Sequence, residues 1–266
     1  MPKTFARRYR CFVTILATLA VSVCFLGAGA QAEERTRIKV ASYEFGVVFF
    51  YDENARAGMA PYLVSVLNEM QDKYVFEFHE TSSRRRYLDL TSGEVDIVLL
   101  ESPTWEWPDY NVKFSDPIVS ESDLYVARKG QSNVASMFAN VTDHSLLAVL
   151  GFHYAFGDFN SDPQYLNENF DVLLRYNEKE VLNDLLAGQG DLGVISAGFL
   201  AREFERNPDL RDQLILGPAD STYDLVSIIS DDAPISLSEF NEFVAKLKKD
   251  AQIERYWRQL HGDVSG

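Results

Sequence analysis

The sequence has little cysteine, little histidine and a shortage of basic charge. Its 266 residues include two Cys, four His, and 25 Lys and Arg against 40 Asp and Glu, a formal net charge of −15. Two Cys cannot build the multi-disulfide framework of a small secreted domain. An acidic chain also lacks the basic surface typical of nucleic-acid binders, so we expect no nucleic-acid partner. The hydrophobic fraction of 46% and aromatic fraction of 13% predict a packed core.

Motifs for cofactors, metals and nucleophiles are missing as well. There is no P-loop, no His-x-x-x-His pair and no nucleophile-elbow serine. Gly188, Gly190 and Gly193 have the spacing of a dinucleotide-binding turn, but here a predicted helix precedes and a strand follows, the reverse of that turn. Acid pairs such as Glu101 and Glu106 are too common in this chain to indicate catalysis. We therefore expect no enzyme activity, no catalytic residue, no cofactor and no metal.

Residues 1–32 predict a secretory signal peptide. They contain four basic residues and no acidic one, an apolar run from Phe12 to about Ala30, and the small-x-small site Ala30-Gln31-Ala32. The alternative is a membrane anchor, because the run approaches the ~20 residues of a spanning helix. A lipoprotein cut before Cys24 is disfavoured by Val23, where a small residue is expected.

Cleavage after Ala32 changes the composition of the product. It removes both Cys and leaves 234 residues with 21 basic against 40 acidic side chains, a net charge of −19. No later segment is apolar enough to span a membrane. We expect a cysteine-free, soluble protein outside the cytoplasm.

The remaining chain predicts alternating strands and helices, the α/β pattern. Apolar runs and alternation predict strands at 37–43, 74–79, 95–100, 146–150, 172–176, 192–196 and 225–230. Helical spacing predicts helices at 59–70, 84–91, 178–187 and, as one long helix, 237–260. Residues 101–113 predict a loop, and 158–169 a loop or short helix.

One spacing recurs 95 residues apart. Leu90, Gly93 and Asp96 return as Leu185, Gly188 and Asp191. In both places a predicted helix ends at a Gly, and an Asp precedes a buried strand. Ordinary helix–strand junctions share this form, but the identical spacing favours two similar lobes.

Aromatic residues follow several predicted strand ends. Two α/β lobes enclose a cleft, and open sheets bind ligands beyond the carboxyl ends of their strands. We expect the ligand contacts there, at Tyr43, Glu101, Ser102, Trp105, Phe152, His153, Tyr154 and Ser196. Aromatic side chains suit a stacking wall, although they also fill cores. For His153 the alternatives are a hydrogen-bond donor, a proton shuttle or a structural loop residue.

Several segments resemble the periplasmic solute-binding proteins of amino-acid-type ABC importers, extracellular solute-binding family 3. The resemblance covers essentially the whole mature chain. It rests on Arg37-Ile38-Lys39-Val40-Ala41, Gly58 with the helix 63–70, Gly93-Glu94-Val95-Asp96, Phe114-Ser115-Asp116-Pro117, Gly188-Gln189-Gly190-Asp191 and Tyr223-Asp224-Leu225-Val226-Ser227.

The resemblance implies a type II periplasmic binding protein: two lobes, each a mostly parallel sheet flanked by helices, joined by two crossover strands. The implied lobe 1 comprises residues 33–122 and 219–266, and lobe 2 residues 123–218. The hinge is expected near 122–125 and 218–223. Such a protein, expected to be a monomer, captures a small solute by lobe closure and delivers it to an inner-membrane ABC permease. The alternatives are a ligand-sensing subunit for a membrane receptor, a dehydratase-like enzyme on the same fold, and a lobe pair that acts through protein contacts.

Two departures from the family pattern bear on the ligand. The Arg that clamps the α-carboxylate in amino-acid binders of this family is replaced by Pro108, and the Asp that holds the α-ammonium by Ser196. Each such charge-assisted hydrogen bond contributes ~1.5–3 kcal/mol, so an ordinary α-amino acid loses its two strongest contacts. In lobe 2, Gly151-Phe152-His153-Tyr154 also replaces the small turn that receives the carboxylate. We therefore expect a small polar or aromatic-containing solute.

The arginine run at 84–86 could substitute for the missing clamp. A cation near a helix N-terminus suits an anion, and we hypothesise that Arg84 or Arg85 faces the cleft. The alternative is a solvated charge run, because three adjacent helical residues cannot share one face.

Overall fold

Eleven strands and eight α-helices alternate along residues 34–262, the part of the chain that the computed structural model describes. The strands are β1 (Thr36–Ser42), β2 (Phe50–Asp52), β3 (Ala55–Ala57), β4 (Tyr74–Glu80), β5 (Ile97–Glu101), β6 (Val112–Phe114), β7 (Val119–Arg128), β8 (Leu146–Val149), β9 (Val172–Arg175), β10 (Leu192–Ser196) and β11 (Leu214–Ser230). The helices are α1 (Met59–Glu69), α2 (Arg86–Thr91), α3 (Val134–Ala139), α4 (Pro163–Asn169), α5 (Glu178–Ala187), α6 (Ala197–Arg206), α7 (Leu237–Lys249) and α8 (Gln252–His261).

The predicted signal peptide and both Cys lie outside the described residues. Within residues 34–262, every helix is too short or too polar to cross a bilayer.

Nine strands form one mixed sheet in the order β4-β1-β5-β11-β7-β10-β8-β9, with β6 also paired to β11. Parallel β4, β1 and β5, together with the antiparallel end of β11 from Val226 to Ile229, are called the first half-sheet. Parallel β10, β8 and β9, together with antiparallel β7, are called the second half-sheet. All five residues of β5 and of β10 are buried, as expected for parallel strands covered on both faces.

The two half-sheets are linked by β7 and β11, which pair with each other over most of the length of β7. The register of β11 on β7 shifts between Leu216 and Ala219 and again between Ala219 and Ser221, close to the predicted hinge. The lobe boundaries at residues 122 and 218 stay a prediction.

The repeated Leu-x-x-Gly-x-x-Asp spacing has one structural meaning in both half-sheets. Gly93 and Gly188 both adopt φ +75°, the left-handed conformation that favours glycine at a helix end. Asp96 then binds Lys39 reciprocally: its N–H donates to the Lys39 carbonyl at 2.8 Å, and its Oδ2 accepts the Lys39 N–H at 2.7 Å. Asp191 makes the same pair of bonds with Ser145, at 2.9 and 3.2 Å. Each Asp therefore ties the start of its strand to the neighbouring strand.

The predicted single helix over 237–260 is wrong, because the chain forms α7 and α8 with a break between them. Ala251 adopts φ +52°, a conformation that costs an L-residue about 1–2 kcal/mol. The bend brings Tyr256 of α8 onto Tyr62 of α1, with 3.9 Å between ring centroids. Tertiary packing thus decides the break, and an Ala in the left-handed region leaves no signal in the sequence.

Candidate functional site

A small cavity lies where the two half-sheets meet. It is lined by four aromatic side chains, one imidazole and one carboxylate: Tyr43, Phe45, Trp105, Phe152, His153 and Asp123. The first five follow the carboxyl ends of β1, β5 and β8, where open α/β sheets bind ligands. Asp123 lies on the linking strand β7. The cavity volume is about 10 Å³, roughly the space of one water molecule.

The aromatic rings of this cavity pack edge to face across the cleft. The ring centroids of Phe45 and Phe152 are 5.4 Å apart at 89°, and those of Phe45 and Trp105 are 5.8 Å apart at 75°. Tyr43 also meets Phe152, at 6.1 Å. These are favourable aromatic geometries. Because the rings come from both half-sheets, a solute of amino-acid size can enter only when the two sides move apart.

A buried ion pair lies behind Tyr43 and Trp105, two of the aromatic residues that line the cavity. Arg86 Nε is 2.8 Å from Glu101 Oε2, and neither side chain is exposed to solvent. The indole N–H of Trp107 donates to the same carboxylate oxygen at 2.7 Å. Burial alone lowers the pKa of Arg86, but Glu101 holds that pKa above its ordinary value. The guanidinium therefore stays charged. Burial raises the pKa of Glu101, whereas Arg86 and then the Trp107 indole oppose that rise and favour the ionised carboxylate that balances the guanidinium.

Hydrogen bonds through Tyr87 fix the tautomer of His153. The Tyr87 hydroxyl donates its only proton to the Trp105 carbonyl at 2.9 Å, and it accepts from Arg86 Nη2 at 2.8 Å. His153 Nε2, 3.3 Å from that hydroxyl oxygen, must then be the donor. Its Nδ1 is left as a buried acceptor without a partner among the described residues. Burial lowers the pKa of His153 against the opposing effect of Glu106, and the lowered pKa favours the neutral ring.

Glu106 lies next to His153 and lines the smaller of two nearby solvent-open grooves rather than the cavity itself. Its carboxylate lies 3.6 Å from His153 Nε2 and accepts the Ser161 hydroxyl at 2.9 Å. His153, followed by Ser161, lowers the pKa of Glu106 to about 2. Glu106 belongs to the first half of the chain and Ser161 to the second, so this contact is made only while the two sides are together.

Asp123 is the one acid among the described residues that lines the cavity. The residue is 3% exposed, and its Oδ2 accepts the Tyr223 hydroxyl at 3.0 Å. Burial first, then the charges of Glu178 and Glu121, raise the pKa of Asp123 well above its ordinary value. No described Lys or Arg makes an ion pair with it. A cation placed in the cavity would therefore stabilise its ionised form.

Two solvent-open grooves flank the cavity. One, of about 270 Å³, lies between Ser83–Arg84 and Gly151, Ser161 and Asp162. The other, of about 670 Å³, lies between residues 44–51 and helices α5 and α6. Several charged side chains line the larger groove and already have partners: Lys179 pairs with Glu203 within the groove, and Arg206 pairs with Asp52 beside it. The small cavity is lined by the Asp123 carboxylate, which has no ion-pair partner among the described residues, and by two residues with a buried polar atom that lacks a partner, Trp105 and His153. We therefore take it as the better candidate for the site.

Of the predicted contact residues, four line the cavity: Tyr43, Trp105, Phe152 and His153. The others are buried nearby in different roles. Glu101 pairs with Arg86, Ser102 Oγ is 2.9 Å from Thr104 Oγ1, and the Tyr154 hydroxyl accepts the Val149 N–H at 2.8 Å.

Ser196, predicted as a contact at a strand end, is the N-cap of α6, a helix that the sequence did not indicate. Its hydroxyl accepts the Phe199 N–H at 3.2 Å and donates to Glu178 at 2.6 Å. These two bonds use the only proton of the hydroxyl and one of its two acceptor sites within the protein.

The arginine run divides as helical geometry requires. Arg84 and Arg85 are exposed, Arg84 on the smaller groove and Arg85 paired with Asp89 at 2.8 Å, whereas Arg86 is buried. Helix α2 begins at Arg86, two residues later than predicted. Arg86 shares a face with Leu90 one turn on, and that spacing was the available signal.

Asp123 was also missed by the sequence. Its signal was alternation: Glu121, Asp123 and Tyr125 occupy every second position of β7 and so point to one face. The described residues contain no cluster of three or more metal-ligating side chains.

No protein-family model matches this sequence, and no curated protein matches it. Solved structures do match. A mutant of ArgBP from T. maritima has a TM-score of 0.69 at 16% identity, over 85% of this chain and 96% of that one. A substrate-binding protein of an ABC uptake transporter from Streptococcus pneumoniae, with bound histidine, has a TM-score of 0.69 at 18% identity, over 85% and 93%.

A third similar structure is a histidine kinase sensor domain with similarity to periplasmic binding proteins, with a TM-score of 0.68 at 18% identity, over 86% of this chain and 96% of that one. At these identities the likeness concerns the fold. The fold implied by the sequence resemblance is confirmed: the chain has the two-lobe α/β architecture of the type II periplasmic binding proteins.

Proposed function

We propose that this chain is a periplasmic solute-binding protein that captures a small polar or aromatic-containing solute by closure of two lobes. The observation that carries the proposal is the origin of the cavity walls. Tyr43, Phe45 and Trp105 come from the first half-sheet, Phe152 and His153 from the second, and Asp123 from the strand between them. A solute bound by all three stabilises the closed arrangement over the open one.

Polar contacts on both sides of the cavity support opening and closure. On one side Ser83 Oγ donates to the Leu150 carbonyl at 3.1 Å. On the other, Glu178 accepts the Gly46 N–H at 2.7 Å, and Arg202 donates to the Gly46 carbonyl at 3.2 Å. Water can replace such hydrogen bonds at modest net cost, about 0.5–1.5 kcal/mol each. The link through β7 and β11 stays intact while these bonds exchange.

The site argues against an ordinary α-amino acid as the ligand. Pro108 lies in the short 3₁₀ turn Trp107–Asp109, so no guanidinium stands at that position. The Ser196 hydroxyl donates to Glu178 and accepts the Phe199 N–H in the first turn of α6. Neither position of the family clamp offers a charged group to a zwitterion.

For the partner, we favour an inner-membrane ABC permease, because one of the similar structures is a substrate-binding protein of an ABC uptake transporter. A sensor role is the alternative, supported by the histidine kinase sensor domain. Cells lacking this chain separate the two. Loss of uptake of the bound solute indicates the importer, and intact uptake with loss of a transcriptional response to that solute indicates the sensor.

An enzyme on the same fold is a second candidate, because the site brings acids close to an imidazole. Glu106 lies 3.6 Å from His153, and Asp123 lines the same cavity. Incubation of the purified protein with a stabilising solute, followed by NMR, decides between the two. Unchanged solute supports capture, and a new product supports catalysis.

Thermal unfolding across a library of amines, amino acids, small carboxylates and peptides tests the solute-capture proposal. A ligand at a hundred times its Kd stabilises the folded state by about 2.7 kcal/mol. We expect saturable stabilisation by at least one compound, weakened in Phe152→Ala but retained in the control Phe243→Ala, since Phe243 packs on the core away from the cavity. A library without any saturable shift would contradict the proposal.

A further inference from the structure

The charge balance around the cavity favours a positively charged solute. Asp123 has one hydrogen-bond partner among the described side chains, the neutral Tyr223 hydroxyl. Three further acids lie close enough to raise its pKa: Glu178 on α5, Glu121 on β7 and Asp220 on β11. A cation in the cavity would meet a surplus of negative charge.

The neighbouring acids already have partners of their own. Glu178 accepts the Gly46 and Ser196 N–H groups and the Ser196 hydroxyl. Glu121 accepts His261 Nε2 at 2.9 Å and the Ser122 N–H at 2.8 Å. Asp220 accepts the Tyr125 hydroxyl and the Ala155 and Phe156 N–H groups. Both Glu121 contacts are on Oε1, and its Oε2 is buried without a partner, but Glu121 does not line the cavity. Among these four acids, Asp123 is the one that lines the cavity, so its charge is the one that a ligand there would meet.

Arg86, a buried cation near the cavity, does not form an ion pair with Asp123. Arg86 lies behind the wall, with its Cζ 4.8 Å from the Tyr43 ring centroid and 5.9 Å from that of Trp105. It is committed to Glu101 and Tyr87 and does not line the cavity. The pair it forms with Glu101 has no net charge, so it neither attracts an anion nor repels a cation strongly.

The uncharged walls suit an ammonium group as well. Four aromatic rings present π-faces or edges to the cavity, and a cation over such a ring gains about 0.5–2 kcal/mol, most where it is desolvated. His153 Nδ1 is a buried acceptor without a partner and matches an N–H donor. The Trp105 indole N–H is a buried donor without a partner and matches an oxygen on the same solute.

Resting on the proposed function, we infer that the captured solute is a small organic amine in its protonated form, held by the Asp123 carboxylate within the aromatic walls and carrying a nearby oxygen atom. The charged contact of such a solute comes from the linking strand β7. It does not come from either position of the family's amino-acid clamp.

Matched pairs of cationic and neutral probes test this inference by calorimetric titration. The pairs are ethanolamine with ethylene glycol, 3-aminopropan-1-ol with propane-1,3-diol, and tyramine with 4-(2-hydroxyethyl)phenol. We expect at least one cation to bind tenfold or more tightly than its neutral partner. Asp123→Asn should reduce the affinity for that cation tenfold or more. Asp212→Asn, a control whose side chain is 91% exposed, should leave it unchanged.

The outcomes separate the inference from the proposed function. If a neutral or anionic compound from the wider library binds while the cations do not, the inference is overturned and solute capture stands. Equal binding of cation and neutral partner, or an undiminished affinity in Asp123→Asn, also overturns the inference. If no compound binds at all, both fall.

Discussion

Two buried acids near the cavity, Glu101 and Asp123, have opposite surroundings. Glu101 is in contact with a guanidinium at 2.8 Å and an indole N–H at 2.7 Å. Asp123 has one hydroxyl, at 3.0 Å, and three further acids around it. The first carboxylate is neutralised within the protein. The second is not.

The difference separates a charge that holds the fold from a charge that is free to meet a ligand. Removing one partner of a buried ion pair leaves the other charge buried and unpaired, which is costly. Removing an unpaired buried carboxylate relieves a cost that the folded protein already bears. The same type of residue should therefore respond in opposite ways to the same amide substitution.

The largest expected effect is that of Glu101→Gln. The substitution leaves the buried Arg86 guanidinium without a counter-charge, so we expect a loss of about 3–5 kcal/mol in the free energy of unfolding. Urea denaturation measures it. The control is Glu77→Gln, at an exposed pair with Arg37, where less than about 0.5 kcal/mol is expected. Equal effects of the two substitutions would show that the buried pair does not stabilise the fold.

The next largest effect tests whether the stability lost in Glu101→Gln is caused by the unpaired charge of Arg86. A double variant, Arg86→Met with Glu101→Leu, removes both charges and fills the space with apolar groups. Since apolar replacement of a buried pair is often neutral or stabilising, the double variant should be more stable than either Arg86→Met or Glu101→Leu alone. Losses that simply add up would contradict coupling between the two side chains.

A smaller effect is expected for Asp123→Asn. In contrast to Glu101→Gln, this substitution should stabilise the folded protein, and increasingly so as pH rises. The folded-state pKa of Asp123 is raised, so the folded protein binds this proton more tightly than the unfolded chain. Ionisation of Asp123 then costs stability as pH rises above about 3.9, the ordinary pKa of Asp. Relative to Asp123→Asn, the unmodified protein should lose stability as pH rises from about 4 to the raised folded-state pKa of Asp123, as measured by urea denaturation at several pH values. If the free energy of unfolding changes with pH in the same way in both proteins, Asp123 is not a buried acid with a raised pKa.

The smallest effect is expected at Arg85, one of the two arginines that the sequence suggested for ligand binding. Its side chain is 68% exposed and pairs with Asp89 on the surface of α2. Arg85→Gln should leave the affinity for the solute unchanged in calorimetric titration. A clear loss of affinity would indicate that the solute binds to the arginine run at 84–86 rather than to Asp123.

Local signals in the sequence predicted much of the fold. Helix α5 and strand β10 have the predicted bounds, because Asn177 caps the helix and Gly188 ends it in the left-handed conformation. The break at Ala251 and the cap at Ser196 were missed. The first depends on packing against α1. The second belongs to α6, an amphipathic helix that buries Phe199, Leu200 and Phe204 and that was not predicted.

The candidate site was predicted in part, for a physical reason. Strand ends with aromatic residues pointed to Tyr43, Trp105 and Phe152, because ligand sites in α/β sheets form at such ends. Asp123 lies in the middle of a linking strand, which was assigned only to the hinge. The burial of Arg86 rather than Arg84 or Arg85 depends on the rotation of α2, for which the spacing of Arg86 to Leu90 was the one available signal.

The pH dependence of cation affinity tests the central claim most directly. It is measured by calorimetric titration with the tightest cationic probe, in the unmodified protein and in Asp123→Asn. A bound cation favours the ionised carboxylate, and protons compete with it at low pH. Affinity should therefore rise with pH in the unmodified protein, until Asp123 is fully ionised, and stay low and flat in the variant. An affinity independent of pH in the unmodified protein, or the same rise in both proteins, would contradict a cation held by Asp123.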